Sequence, residues 1–203
     1  GDHIVEQHIH NLDVINWLKD SFPVSAQGLG GRQVRTGPRF GEIYDHHMIE
    51  YTYGDSEYGN GVKMLSQCRH IRNCFNSVSE HIHGTKGAAS IQGHGTVVLR
   101  ADGQDDIRWR RSKDGHQVEH DDLFAALLAG KPYNEGDFGA TSTLTAILGR
   151  MASYGGQVVR WEDALNSEVD LLPKSLVWDA EPLVQPGANG LYACALPGVT
   201  KAF

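Results

Sequence analysis

The sequence predicts an α+β fold, an open and mostly antiparallel sheet with helices packed on one face. Three observations predict it. An apolar stripe of helical spacing opens the chain, a run of alternating segments bounded by Gly, Asp and Asn fills its middle, and helical spacing returns from Asp121 onward. The 203 residues read as a single domain with an extended, proline-bearing tail at about 172–203.

The first helix is VEQHIHNLDVINWL, residues 5–18, where Val5, Ile9, Leu12 and Ile15 recur every three or four positions and mark a core-facing stripe. Phe22-Pro23 ends it, since proline cannot continue a helix. VSAQGL (24–29) is the first strand, and a polar loop over 32–41 follows. EIYDHHMIEYTY (42–53) and VKMLSQCRHI (62–71) alternate side chains across a sheet and are joined by a turn rich in Gly, Asp and Asn. SVSEHIHG, AASIQG, TVVLRAD and DIRWRRS continue as an antiparallel meander. DDLFAALLAG (121–130) and ATSTLTAILGRMASYGG (140–156) carry helical spacing and close on glycine, and residues 161–165 make a further short helix. The tail wraps the surface.

Composition bounds the function. Hydrophobic residues make up 40% and charged residues 21%, as in a soluble globular chain. The net charge of -7, from 18 basic and 25 acidic residues, argues against a nucleic-acid or anionic-membrane surface, which needs clustered Lys and Arg. The densest basic run, Arg108, Arg110, Arg111 and Lys113, sits beside Asp102, Asp105, Asp106 and Asp114 and reads as a hairpin surface. Three cysteines without a CxxC spacing point to a reducing compartment, so the expected location is cytoplasmic. No apolar run reaches the length of a membrane span. The chain opens without Met and almost directly into helix, and the expectation is that an N-terminal part precedes it, where an export signal would also lie.

Two glycine stretches fail as nucleotide loops. GLGGRQ places Gln33, and GHGTVV places Val98, where a GxGxxG fingerprint needs its third glycine. No dinucleotide fold of its own is expected. His8-x-His10, His46-His47 and His81-x-His83 offer imidazoles that suit a metal, with Glu6 or Asp13 to complete a site, yet nothing in the sequence brings the three pairs together. No metal site is therefore assigned, and for His81 and His83 cross-strand hydrogen bonding is the expected role.

His10 stands apart because Glu6 lies one helical turn before it and Asp13 about one turn after. Two carboxylates so placed can orient the ring, fix its tautomer and raise its basicity, as a proton acceptor for an alcohol requires. The same spacing also fits a solvated helix face with an ordinary i,i+4 pair.

GDHIVEQHIHNLDVINWL resembles the start of the C-terminal domain in the Gfo/Idh/MocA family of sugar and cyclitol oxidoreductases, and later segments agree in order: EYTYGDSEYGNGVKMLSQCRHI, HGTKGAASIQG and HDDLFAALLAGKPYNEGDFGATSTLTAILGRMASYGGQVVRWEDAL. The resemblance covers nearly the whole chain. It implies an open antiparallel sheet with the active-site cleft on its helical side and an opposite face that builds dimers or tetramers. It also implies a separate N-terminal domain, absent from this sequence, that binds NAD or NADP and supplies a catalytic lysine in a Glu-Lys-Pro motif. Lys131-Pro132 is not that motif, since no Glu precedes it.

By the same resemblance His10 matches the histidine that takes the alcohol proton as hydride leaves to nicotinamide, and Glu6, where many members carry Asp, matches the carboxylate that positions it. Asp13 matches a further acidic position, and Arg32, Tyr44, His46 and His47 are candidate substrate hydrogen-bonders, each with a structural role as the competing reading. The leading expectation is the substrate-binding and oligomerisation domain of an oxidoreductase acting on a sugar, cyclitol or related polyol, inactive as an isolated piece, homodimeric or homotetrameric through its sheet face, and without nucleic-acid or membrane partners. The alternatives are a metal-dependent hydrolase or lyase using the histidine pairs, and a non-catalytic binding or assembly module.

Overall fold

A computed structural model describes residues 2–54, 61–92, 95–110 and 113–202. They fall into two compact units, Gly1–Cys74 with Ala140–Phe203, and Phe75–Gly139. The first unit is built on a four-stranded antiparallel sheet in the order β3-β2-β1-β8, formed by β1 (Pro23–Gly31), β2 (His46–Tyr53), β3 (Lys63–Arg69) and the short β8 (Val159–Arg160). The predicted α+β class and antiparallel pairing hold, although the strands divide into two sheets.

Alternation along β2 decides which face is inside. His47, Ile49, Tyr51 and Tyr53 are buried, while the residues between them are exposed or half-buried. Ala26 of β1 stands opposite Tyr51, and Val159 of β8 stands opposite Ala26, so one apolar layer runs across the sheet. α4 (Gly136–Gly155) reaches that layer with Leu148 and Ala152, and the N-terminal helices reach it with Ile4 and Leu12. Gly28 and Gly30 are demanded by this sheet. A Cβ on Gly28 would stand 2.4 Å from the Met48 carbonyl oxygen, and one on Gly30 would stand 2.7 Å from that of His46.

The expected single helix over 5–18 is corrected to two: α1 (His3–Glu6) and α2 (Ile9–Lys19). Gln7 leaves helical geometry at φ -129°, ψ -44°, and the His8 amide donates to the His3 carbonyl, five residues back. In an unbroken helix Ile4 and Leu12 would lie about 80° apart at about 100° per residue. The break lets both bury completely. Strand β2 also begins later than expected, because Asp45 turns its carboxylate to the preceding loop.

The second unit carries its own antiparallel sheet, β4 (Ser79–Gly84), β5 (Gly87–Gln92), β6 (Thr96–Ala101) and β7 (Ile107–Arg110), in sequence order. Helix α3 (Gly115–Leu128) starts before the expected Asp121 because the Asp114 side chain caps it, accepting from the His116 amide at 2.9 Å. Asp106 pairs with Arg108 at 3.2 Å and Arg100 at 3.5 Å, so this part of the basic run is neutralised locally. His81 bonds Ser79 along its own strand at 3.1 Å, which corrects the expected cross-strand bond. The turn at 55–60, Gly93-His94 of the second glycine stretch, and Arg111 lie outside the described residues.

Helix α5 (Trp161–Leu165) falls where expected. The end of the tail is laid against the first unit: Tyr44 donates to the Ala195 carbonyl at 3.0 Å, and the Gly198 amide donates to that of Gly155 at 2.8 Å.

Candidate functional site

Glu6 and His10 are both exposed, one at the end of α1 and the other in the first turn of α2. The break at Gln7 lies between them, so they are not successive turns of one helix, and among the described residues no hydrogen bond or ion pair joins them. The expected contact is absent in this arrangement, and each group faces solvent from its own helix. His8, by contrast, turns inward and meets the Ser66 hydroxyl at 2.8 Å. Burial, with His3 nearby, lowers its pKa to about 4.

Three of the proposed substrate contacts have structural partners. Asp13 accepts from the Ser142 hydroxyl and ties α2 to α4. Arg32 donates to the carbonyls of Gly41 and Tyr192, bracing the loop against the tail. Tyr44 is buried, with its amide donating to the Tyr154 hydroxyl at 3.1 Å and its own hydroxyl spent on Ala195.

His46 and His47 border an open cleft of about 440 Å³ together with Gln33, Val34, Cys68 and Arg69. They behave oppositely. His46 is a third exposed and its Nδ1 meets the buried Asp45 carboxylate at 2.8 Å. His47 is buried, with Nδ1 at 3.0 Å from the Ser153 hydroxyl and Nε2 at 3.7 Å from Asp2. Burial, reinforced by the neighbouring His46 and Arg150 charges, lowers the His47 pKa to about 3, so its ring is neutral at ordinary pH. The pair is brought to one cleft, whereas Asp13, Arg32 and Tyr44 are not among its lining residues and are tied to Ser142, Tyr192 and Ala195.

Below His47 lies a buried polar group that the sequence reading missed. Asp2 is fully buried, 3.3 Å from the Arg150 guanidinium, and its pKa is raised by burial, with the neighbouring Tyr154 hydroxyl and Arg150 opposing that rise. Arg150 in turn stacks over the Tyr154 ring at 4.1 Å. The available signal was position: Asp2 precedes α1, and Arg150, Ser153 and Tyr154 share three- and four-residue spacing on α4.

The polar loop expected over 32–41 is organised by a residue that the sequence does not mark, Asp45. Asp45 accepts the consecutive amides of Gln33, Val34 and Arg35 at 3.0, 2.8 and 2.9 Å. Burial would raise the Asp45 pKa, but these amides and His46 outweigh it and hold it below the usual carboxylate value. The loop is thereby fixed around a buried anion.

The first glycine stretch is consumed by the β1–β2 ladder and cannot cradle a pyrophosphate, so these residues do not fit a dinucleotide. Among the described residues no group of three or more His, Cys, Asp or Glu side chains is placed to hold a metal ion. Among the same residues no helix is long and apolar enough to cross a membrane.

The antiparallel sheet and the helices packed on it define an α+β domain. Residues 1–137 match the family described as "Oxidoreductase family, C-terminal alpha/beta domain", GFO_IDH_MocA_C, and the chain belongs to that family. No curated protein matches it. Among solved structures it is similar to UDP-N-acetylglucosamine 3-dehydrogenase GnnA from Acidithiobacillus ferrooxidans, at 21% identity over 75% of this chain and 47% of that one, with TM-score 0.60. It is similar to myo-inositol 2-dehydrogenase from Lactobacillus plantarum, at 22% identity over 79% and 48%, with TM-score 0.57. It is also similar to a super-repressor mutant of Gal80p from Saccharomyces cerevisiae, at 15% identity over 83% and 52%, with TM-score 0.57. At these identities the likeness carries the fold alone. The chain spans about half the length of these structures.

Proposed function

We propose that this chain is the substrate-binding and oligomerisation domain of an NAD- or NADP-dependent, cytoplasmic oxidoreductase acting on a sugar, cyclitol or related polyol, with the dinucleotide held by a separate N-terminal domain. The observation that carries the reading is the family match over residues 1–137, which includes α1, α2 and strands β1, β2 and β3 of the first sheet. The nicotinamide supplies the hydride acceptor. His10, open to solvent on α2, takes the proton of the substrate hydroxyl, and Glu6 approaches it once substrate and the second domain close over this face. His46, open to solvent, is a candidate substrate contact, while Asp13, Arg32 and Tyr44 brace the framework through Ser142, Tyr192 and Ala195.

The outward face of the first sheet supports assembly. Leu29, Met48 and Leu65 lie on adjoining strands of that face and are 65%, 39% and 66% exposed. A second copy covering them would bury an apolar strip.

The test is hydride transfer by the protein that joins this chain to a nucleotide-binding domain. His10→Ala lowers kcat by about 10²–10⁴-fold, the contribution of a positioned acid–base group. Undiminished turnover in that variant removes the catalytic assignment. A second reading, a non-catalytic binding module, draws on the structural likeness to Gal80p, which is described as a transcriptional regulator in the structure from a Kluyveromyces species, and on the lack of contact between Glu6 and His10. It predicts sugar or dinucleotide binding with no turnover in the wild-type protein.

A further inference from the structure

The loop over 32–41 carries two guanidinium groups to one aromatic ring. Arg35 lies 4.5 Å and Arg39 lies 5.0 Å from the centre of Phe40. Stacking two like charges on a single ring is favourable for each cation and unfavourable between them. Among the described residues neither guanidinium has a carboxylate partner in an ion pair. Both keep their hydrogen-bonding forks for another acceptor.

An imidazole pair begins near Arg35. The rings of His3 and His70 stack at 5.3 Å, and the His3 pKa is lowered chiefly by burial, with His70 and Arg35 adding to the effect and Glu6 opposing it. His3 Nδ1 is buried and has no hydrogen-bond partner in this arrangement. One aspartate fixes the backbone of Arg35 and His70. The Asp45 carboxylate holds the Arg35 amide, and its main-chain carbonyl accepts the His70 amide at 2.8 Å. Arg32 closes the loop on Gly41.

A loop whose backbone is fixed by Asp45 and that gathers two unpaired guanidinium groups on one ring suits an anion, because their mutual repulsion is relieved when negative charge arrives. A neutral polyol would leave that repulsion in place. We propose that Arg35 and Arg39, with His3 near Arg35, bind the anionic group of a sugar substrate, a carboxylate or a phosphate. The inference rests on the oxidoreductase reading only in taking the ligand to be a sugar.

The test is a titration of the 203-residue chain with D-glucuronate, D-glucose 6-phosphate and D-glucose at matched ionic strength, following the Arg Nε–H and His ring signals by NMR. The expected result is saturable shifts at Arg35 and Arg39 with at least one anionic sugar and none with glucose. A response to glucuronate alone assigns a carboxylate, to the phosphate alone a phosphate, and to both a general anion site. Arg35→Gln and the more exposed Arg39→Gln each weaken that binding by about tenfold or more. The proposal is overturned if neither anion shifts these signals, if glucose binds as tightly, or if both variants bind unchanged. Failure of hydride transfer with every sugar would instead remove the oxidoreductase reading and leave the titration standing.

Discussion

Asp2 and Arg150 form an ion pair across the first unit, with an Asp2 carboxylate oxygen 3.3 Å from Arg150 Nε and the aspartate sealed from solvent. The pair ties the approach to α1 to the last turns of α4, next to His47. Deleting one partner leaves the other as an uncompensated buried charge, so Arg150→Met costs about 3–5 kcal/mol of stability. Asp2→Asn costs less, because it removes the charge that burial opposes. The raised pKa of Asp2 sets the sign of its pH dependence: stability is fullest below the unfolded value of 3.8 and is lost as pH rises through the higher folded value. The wild-type protein therefore loses ground to Asp2→Asn on going from acid to neutral pH, read by urea unfolding of both proteins.

His47 gives the opposite slope. Its folded pKa of about 3 lies far below the unfolded 6.5, so the unfolded chain binds a proton that the folded chain refuses. Stability is complete above pH 6.5 and falls as pH drops toward 3, by about 1.4 kcal/mol per pH unit for this group. His8, with its pKa lowered to about 4, adds to the same loss. His47→Gln should flatten the profile between pH 6.5 and 4, whatever it does to stability at neutral pH. A denaturation series in that window checks it.

The Tyr51 hydroxyl is buried without a hydrogen-bond partner and fills the space beside Gly149, where an added Cβ would stand 2.0 Å from the tyrosine oxygen and 3.1 Å from Ile4 Cδ1. Gly149→Ala is accordingly destabilising by about 1–3 kcal/mol from overpacking. Tyr51→Phe removes an unsatisfied polar group and should be neutral or stabilising by about 1 kcal/mol. In the double variant the phenylalanine removes the closest contact and leaves the ring Cζ 2.9 Å from the added Cβ, so the clash is eased in part and the two changes are non-additive. Thermal unfolding of the two single variants and the pair measures that coupling.

Periodicity made most elements legible, although the first helix divides in two, β2 (His46–Tyr53) starts later than expected and α3 (Gly115–Leu128) starts earlier. What escaped it depends on backbone breaks and on pairs distant in sequence. The turn at Gln7 is invisible to an apolar stripe that continues across it, yet it decides that Glu6 and His10 leave on different helices. Asp13, Arg32 and Tyr44 were chosen for their chemistry, and partners 129, 160 and 151 residues away claim them. Asp2 and Asp45 went unremarked because an isolated aspartate in a sequence carries no sign of being buried.

Asp45 shows what such a residue does. Its carboxylate accepts three consecutive loop amides and meets His46, and its carbonyl holds His70. A charge-assisted hydrogen bond is worth about 1.5–3 kcal/mol, but these bonds share one acceptor group and their deletions do not add. Asp45→Ala should therefore cost about 2–4 kcal/mol and, more specifically, release the amides of Gln33, Val34 and Arg35 to exchange with solvent while the β1–β2 ladder stays protected. The depressed pKa predicts the same release in the wild-type protein under acid: the bonds persist above the unfolded value of 3.8 and are lost as pH falls through the lower folded one. Hydrogen exchange at these three amides, compared between wild type and Asp45→Ala, measures the effect. Unchanged protection in the variant would mean that the loop is held by Arg32 and the tail instead.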